Sequence, residues 1–139
     1  MYELDVEYRE LSGELVKAAF EVHKTLGPGY LEKVYEDALV IELKLRNINF
    51  SRQKQIEIRY KTYPIAKGKI DLLIDNKIIV EIKAVECFAE IHRAQIISYL
   101  RATNLKLGLL MNFNVKYMKD GIRRVISTKI KTASSAALR

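Results

Sequence analysis

The chain has 139 residues and a net charge of +7, from 24 Lys and Arg against 17 Asp and Glu. That length suits a single domain with one substantial core, and 49% hydrophobic with 29% charged residues describes a globular protein, excluding wholesale disorder. No apolar run approaches the roughly 20 residues needed to span a bilayer. The opening Met1-Tyr2-Glu3-Leu4-Asp5 is acidic and mixed, unlike a signal peptide, so the expected setting is the cytoplasm, with no membrane partner.

Cys87 stands alone, which excludes an internal disulfide and a cysteine-built zinc site. It is expected to be an incidental, partly buried small hydrophobe. The positive balance favours polyanionic partners, nucleic acid first.

In chain order, Leu11, Leu15, Ala18, Ala19, Val22 and Leu26 recur at three- and four-residue steps, predicting an amphipathic helix over about residues 8–26. Gly27-Pro28-Gly29 ends it. A second helix, with Leu31, Val34, Tyr35, Ala38, Leu39 and Leu45 on one side, runs to about Arg46, and Asn47 and Asn49 mark its exit. His23 lies well inside the first helix and receives no role.

The period then becomes two. Residues 55–60 alternate polar and apolar, as a half-exposed strand does. Residues 69–74 and 78–83 form two more strands around Asp75-Asn76-Lys77, and residues 88–103 read as a helix. Residues 107–111 are nearly all apolar, as in a strand covered on both faces. Asp120-Gly121 is a turn before a last strand at 122–127, and the low-complexity tail, about 131–139, is expected to fray or be weakly helical. The order is ααβββαββ: one α/β domain over residues 1–139, core about 8–128, with a mixed sheet whose parallel pair is joined by a helical crossover and whose faces carry helices.

The chemistry concentrates in the hairpin 69–83. With Ile70, Leu72 and Ile74 facing the same way as Ile78, Val80 and Ile82, opposed residues have numbers of even sum, such as Leu72 opposite Val80. Asp71 then faces Glu81, and Lys83 lies two residues further on the same face. Two carboxylates so placed repel, and burial raises the cost. A hard cation such as Mg²⁺, or Mn²⁺ in its place, removes the conflict and leaves water positions for a substrate. It also acidifies a bound water, while a neighbouring ammonium orients that water or neutralises phosphate. The bland alternative is a surface hairpin with an ordinary ion pair. Glu42-Leu43-Lys44 has the same Glu-x-Lys spelling within a helix, where residues two apart do not share a face.

Gly29-Tyr30-Leu31-Glu32-Lys33-Val34-Tyr35, Ile70-Asp71 and Glu81-Ile82-Lys83 together resemble the GxxExxY proteins, a branch of the PD-(D/E)XK nuclease superfamily, over about residues 8–128. The resemblance implies a restriction-endonuclease-like fold, metal on Asp71 and Glu81, a catalytic Lys83, and Glu32 as a further acid reaching the metal from a helix. Ile70 stands where the superfamily name has proline. The backbone carbonyl of Ile82 is expected as an added ligand. Glu32 also has a plain explanation, since acids in the first helical turn oppose the helix dipole. Gly29 is expected in a turn and Tyr35 in the core.

Gln95 and Tyr99 are four apart on one helical face and resemble the Gln-x-x-x-Tyr pairs that line the site in several nuclease branches. Ordinary packing explains them equally well. Arg93 and Arg101, eight apart, are candidates for a nucleic-acid backbone or simply a solvated basic face, and His92 is expected to be solvated or capping. The leading expectation is metal-dependent hydrolysis of a nucleic-acid phosphodiester, DNA before RNA. The alternatives are a nuclease-fold module that binds nucleic acid without cutting, and a protein-interaction domain whose helical hairpin forms a dimer surface. A homodimer is compatible with so small a domain.

Overall fold

A computed structural model describes residues 6–127. The tail expected to fray lies outside them. Two helices come first, α1 (Val6–Leu26) and α2 (Glu32–Leu45), then β1 (Phe50–Tyr60), β2 (Tyr63–Ile74), β3 (Ile78–Lys83), α3 (Glu90–Thr103), β4 (Leu107–Asn112), a 3-10 turn (Met118–Gly121) and β5 (Ile122–Ile126). The expected order of elements is the observed one. The strands lie in the sheet in chain order, and every neighbouring pair is antiparallel except β3 and β4, which are parallel and joined through α3. No helix among the described residues is long and apolar enough to cross a membrane.

The helical hairpin turns where glycine is needed: Gly27 and Gly29 have φ of 70° and 115°, a region that strains other residues. Tyr35, fully buried, holds that turn from inside. Its hydroxyl donates to the Gly27 carbonyl at 2.6 Å and accepts the Tyr30 N–H at 3.1 Å, while its ring stacks on Phe113 at 4.8 Å. His23 is also structural, its Nε2 donating to the Val115 carbonyl at 2.7 Å.

The sheet has a core on each face. On one side Leu15, Ala19, Leu39 and Leu43 of α1 and α2 pack on Leu72, Ile74, Ile78, Val80, Leu107 and Leu109. On the other, Ile96 and Leu100 of α3 pack on Ile70, Leu73, Ile79, Leu110 and Val125. Each buried Val, Leu or Ile here contributes about 1.5–3 kcal/mol. Every residue of β4 is buried, and residues 107–111 supply the apolar run that a strand between two layers requires. Gly108 lets α3 approach, since a Cβ there would stand 2.6 Å from Ile96 Cδ1.

The register of β2 and β3 is the one the apolar pattern demands: Leu72 opposite Val80, Leu73 opposite Ile79, Ile74 opposite Ile78. A two-residue turn reinforces it. Asp75 and Asn76 have φ of 52° and 56°, and the Lys77 N–H closes on the Ile74 carbonyl at 2.8 Å; this left-handed pair matches the twist of a hairpin, and Asp and Asn tolerate it. One expectation is corrected. Ile70 does not share a face with Leu72 and Ile74 but packs in the α3-side core. β2 reverses its facing between residues 70 and 72, at Asp71. Gln53, which the register places opposite Asp71, has φ of 51°, so both strands are distorted at the same rung.

Candidate functional site

The Asp71 reversal ends the ladder between β2 and β3, whose paired rungs run from Ile74–Ile78 to Leu72–Val80. Beyond it, side chains replace the main-chain bonds. The Asp71 N–H donates to Glu81 Oε2 at 3.0 Å, and the Ile82 N–H donates to Asp71 Oδ2 at 2.8 Å. Each carboxylate therefore lies in the opening between the strands, bonded to the backbone of the other strand. Their adjacency follows from register; their wedged position follows from the reversal.

Electrostatically the arrangement is costly. Glu81 is only 3% exposed, and its carboxyl is pushed up to about 8, first by burial and then by the charge of Asp71. Asp71 is also raised above the ordinary carboxylate range, by burial and then by the charge of Glu36. The Lys83 ammonium counters both shifts. The donors are carboxyl oxygens that burial and mutual repulsion keep from ionising together, a conflict that a hard divalent cation relieves. Among the described residues no three His, Cys, Asp or Glu side chains form a ligand set by themselves. A cation would be held by Asp71 and Glu81 together with main-chain or water oxygens, as Mg²⁺ accepts.

On the α2 side the opening leads into a cleft of about 830 Å³ lined by Leu31, Glu32, Glu36, Arg52, Gln53, Asp71 and Ala84. Glu32 lines this cleft, yet it is exposed. Glu36, one turn further along α2, is the helix acid whose charge acts on both Asp71 and Glu81. It is held by Arg52 Nε at 2.6 Å and by Gln53 Nε2 at 3.0 Å, and that same amide nitrogen lies 3.5 Å from Asp71 Oδ1. Sequence reasoning missed Glu36. The signal was present: residues four apart share a helical face, so any cleft reached by Glu32 is open to Glu36.

On the α3 side, Lys83 Nζ lies 3.4 Å from Gln95 Oε1, and Gln95 Nε2 lies 3.4 Å from the Tyr99 hydroxyl. Burial and then the charge of Glu81 hold the Tyr99 phenol above its ordinary value. Gln95 and Tyr99 thus stand beside the carboxylates, on the face their spacing predicts. Gly68 makes room for the ring, since a Cβ there would stand 3.1 Å from Tyr99 Cε1.

The chain leaving Lys83 is fixed by Asn112, a second residue sequence reasoning missed. Asn112 is paired with Lys83 across β3 and β4 and is buried. Its side chain accepts the Val85 N–H at 3.1 Å and donates to the Val85 carbonyl at 2.9 Å, while the Phe113 N–H donates to the Lys83 carbonyl at 3.0 Å. A buried Asn at a strand end has no distinguishing signal in a single sequence. Ile82 sends its side chain into the α1–α2 core and its N–H to Asp71.

Arg93 is placed elsewhere. It lines a separate cleft of about 280 Å³ with Phe88, Glu90, Leu110 and Arg123, because its position on α3 points it toward β5. Arg101, near the end of α3, borders another groove with Arg59 and Lys61. His92 caps α3, its Nδ1 accepting the Ala89 N–H at 3.0 Å. Cys87, expected to be partly buried, is exposed, because the segment between β3 and α3 runs over the surface.

No curated protein matches the chain. Among solved structures it is similar to the protein named SSO0001, with a TM-score of 0.52 and 20% identity. The match covers 76% of this chain and only 57% of that one. The fold is the restriction-endonuclease-like mixed sheet flanked by helices. The family model of the PD-(D/E)XK nuclease superfamily matches residues 9–125, a span that takes in all but the first turn of α1, all of α2, the wedged carboxylates, Lys83 and the five strands up to Val125, and the chain belongs to that superfamily.

Proposed function

We propose that the chain is a metal-dependent phosphodiesterase acting on nucleic acid, DNA before RNA, within the GxxExxY branch of its superfamily. Superfamily membership supports a nuclease-like function and nucleic acid as the partner class. The observation that carries the reading is the pair Asp71 and Glu81, two carboxylates driven together in the opening between β2 and β3 with Lys83 beside them. For the branch, the support is the segment from Gly29 to Tyr35 together with Glu81-Ile82-Lys83.

Mg²⁺ or Mn²⁺ would be held by Asp71 and Glu81, with the Ile82 carbonyl and Glu32 or Glu36 as further oxygens. When bound, the ion supplies Lewis-acid polarisation of the phosphate and an acidified water. The remaining roles belong to the chain. Lys83 carries the positive charge that orients the attacking water and offsets charge building on the phosphate. Gln95 fixes Lys83, and Tyr99 fixes Gln95, so the ammonium is held in place before substrate arrives. Gln95, Tyr99 and Arg93 are the substrate contacts in this reading, Arg93 from its separate cleft.

The deciding experiment compares cleavage of single-stranded, duplex and branched DNA by wild type and Lys83→Ala in Mg²⁺ or Mn²⁺. Cleavage only by wild type is expected; equal cleavage would end the assignment. One observation favours a second reading, a nuclease-fold module that binds nucleic acid without cutting it. Both carboxylates already serve as structural cross-links, each accepting a backbone N–H from the facing strand. Manganese titration separates the two: failure of millimolar Mn²⁺ to bind, beside salt-sensitive DNA affinity, favours the binding module.

Pairing of two copies belongs to the same proposal, supported by Leu31 just before α2 and Ile41 and Leu45 on it, all left exposed, and light scattering tests it. A cytoplasmic setting suits the exposed, unpaired Cys87.

A further inference from the structure

The basic charge of the chain is concentrated in one element. Residues 52–69 contain Arg52, Lys54, Arg59, Lys61, Lys67 and Lys69 against the single acid Glu57. A net charge of +5, of the chain's +7, therefore lies on the part of the β1–β2 hairpin between Arg52 and Lys69, short of Asp71. Its outer part leaves the layered core: Tyr60 and Tyr63, opposed at the tip, are 61% and 69% exposed.

The pleat divides the ribbon into two faces. Gly68 lies against Tyr99, Ile56 and Ile58, so those residues face α3. Lys67 and Lys69 then project from the opposite face. Counting back from Asp71 along β2 in two-residue steps, they are the next two side chains, about 7 Å apart, a separation like that of successive phosphates. Arg52 is held by Glu36 and Asp37, and Arg59 by Glu57. Lys67 and Lys69 have no ion-pair partner among the described residues. Tyr60, two residues past Ile58, and Tyr63 opposite it fall on the α3 face, so a strand that follows Lys67 and Lys69 meets the rings by passing over the tip, where Lys61 Nζ stands 5.5 Å over the Tyr60 ring.

We propose that the β1–β2 hairpin is a binding arm for an unpaired nucleic-acid strand, with Lys67 and Lys69 on its phosphates and Tyr60 and Tyr63 stacked on its bases, leading the strand to the cleft at Asp71. This deepens the phosphodiesterase reading and rests on it only for what happens at the cleft. A positive track alone would serve any polyanion. Exposed rings at its end select unpaired bases, because every base offers a face to stack and a duplex hides it. From Asp71 to the turn at Thr62 the arm extends about 30 Å, enough to accompany several nucleotides.

The test is equilibrium binding of a fluorescent oligothymidine of about 20 nucleotides in EDTA across a salt series, by anisotropy. Lys67→Gln/Lys69→Gln is expected to weaken binding at least about tenfold at low salt and to flatten the log–log salt slope by about 0.7 per lost phosphate contact. Lys67→Arg/Lys69→Arg should restore that slope. Tyr60→Ala/Tyr63→Ala should weaken binding by about tenfold per ring with the slope unchanged. All six substitutions are at exposed positions, and circular dichroism melts check that the fold is kept. Wild-type affinity in the Gln and Ala variants, no binding by wild type, or tighter binding of a matched duplex would each overturn the arm. Hairpin-dependent binding by a protein that cleaves nothing would sink only the phosphodiesterase reading. Cleavage with hairpin-independent binding would sink only the arm.

Discussion

The carboxylates of Asp71 and Glu81 are bonded to the backbone of each other's strands and not to one another: Asp71 Oδ2 takes the Ile82 N–H, and Glu81 Oε2 takes the Asp71 N–H. These two bonds continue the sheet past its last main-chain rung. They also hold two carboxyl groups together in a half-dry opening where both cannot ionise cheaply, a tension that leads to the first prediction.

In the absence of divalent metal, stability should fall as pH rises from about 5 to about 8. Glu81, raised from 4.5 to about 8, keeps in that window a proton that the unfolded chain has released, so the unfolded state binds fewer protons and loses less by deprotonation. Asp71, also raised, adds in the same direction. Glu81→Gln removes the titrating charge and keeps an oxygen for the Asp71 N–H. Urea denaturation in EDTA at pH 8.5 should find this variant more stable than wild type by on the order of 3 kcal/mol, with a flatter pH profile. A less stable variant at that pH would contradict the charge conflict.

Divalent metal should reverse the sign of that effect. In wild type at pH 8, Mn²⁺ at 100 times its Kd is expected to add about 2.7 kcal/mol of stability, read as a rise in melting temperature. Asp71→Asn should abolish most of the rise, while Glu32→Gln should reduce it less than Glu36→Gln. Equal shifts in wild type and Asp71→Asn would place the ion elsewhere.

The chain Lys83–Gln95–Tyr99 predicts a graded series in metal-dependent cleavage. Lys83→Ala should lower kcat by about 10²-fold or more, and Gln95→Ala by about 10-fold, through a less well held ammonium. Tyr99→Phe, which loses only the terminal hydroxyl, should cost least. Single-turnover cleavage of one oligonucleotide measures all three, and a Gln95→Ala loss as large as that of Lys83→Ala would show Gln95 acting independently.

Tyr35→Phe isolates the structural part of the Gly-x-x-Glu-x-x-Tyr segment. The ring keeps its stack on Phe113, but the Gly27 carbonyl and Tyr30 N–H lose their shared partner. The expected cost is about 1–3 kcal/mol in chemical denaturation, with metal affinity little changed. An unchanged midpoint would mean that water replaces the hydroxyl.

Much of this protein was legible from residue order alone. Element order, the period change near residue 50 and the β2–β3 register all follow from which side chains must leave water, and a one-residue slip would turn every buried side chain outward. Hence the adjacency of Asp71 and Glu81 was readable without coordinates. Periodicity carries no information on where a strand stops obeying it. The reversal at Asp71, which sends Ile70 to the α3 core and wedges the carboxylates between strands, depends on helices packing from both faces at once. The same is true of Glu36 and Asn112, polar residues far from Asp71 and Lys83 in the chain, and of Arg93, whose spacing from Arg101 says nothing about the cleft it enters. Local sequence determines what a residue can pair with along its own element; which acids crowd one another, and how far burial raises their pKa, is decided only when separate elements close over the same space.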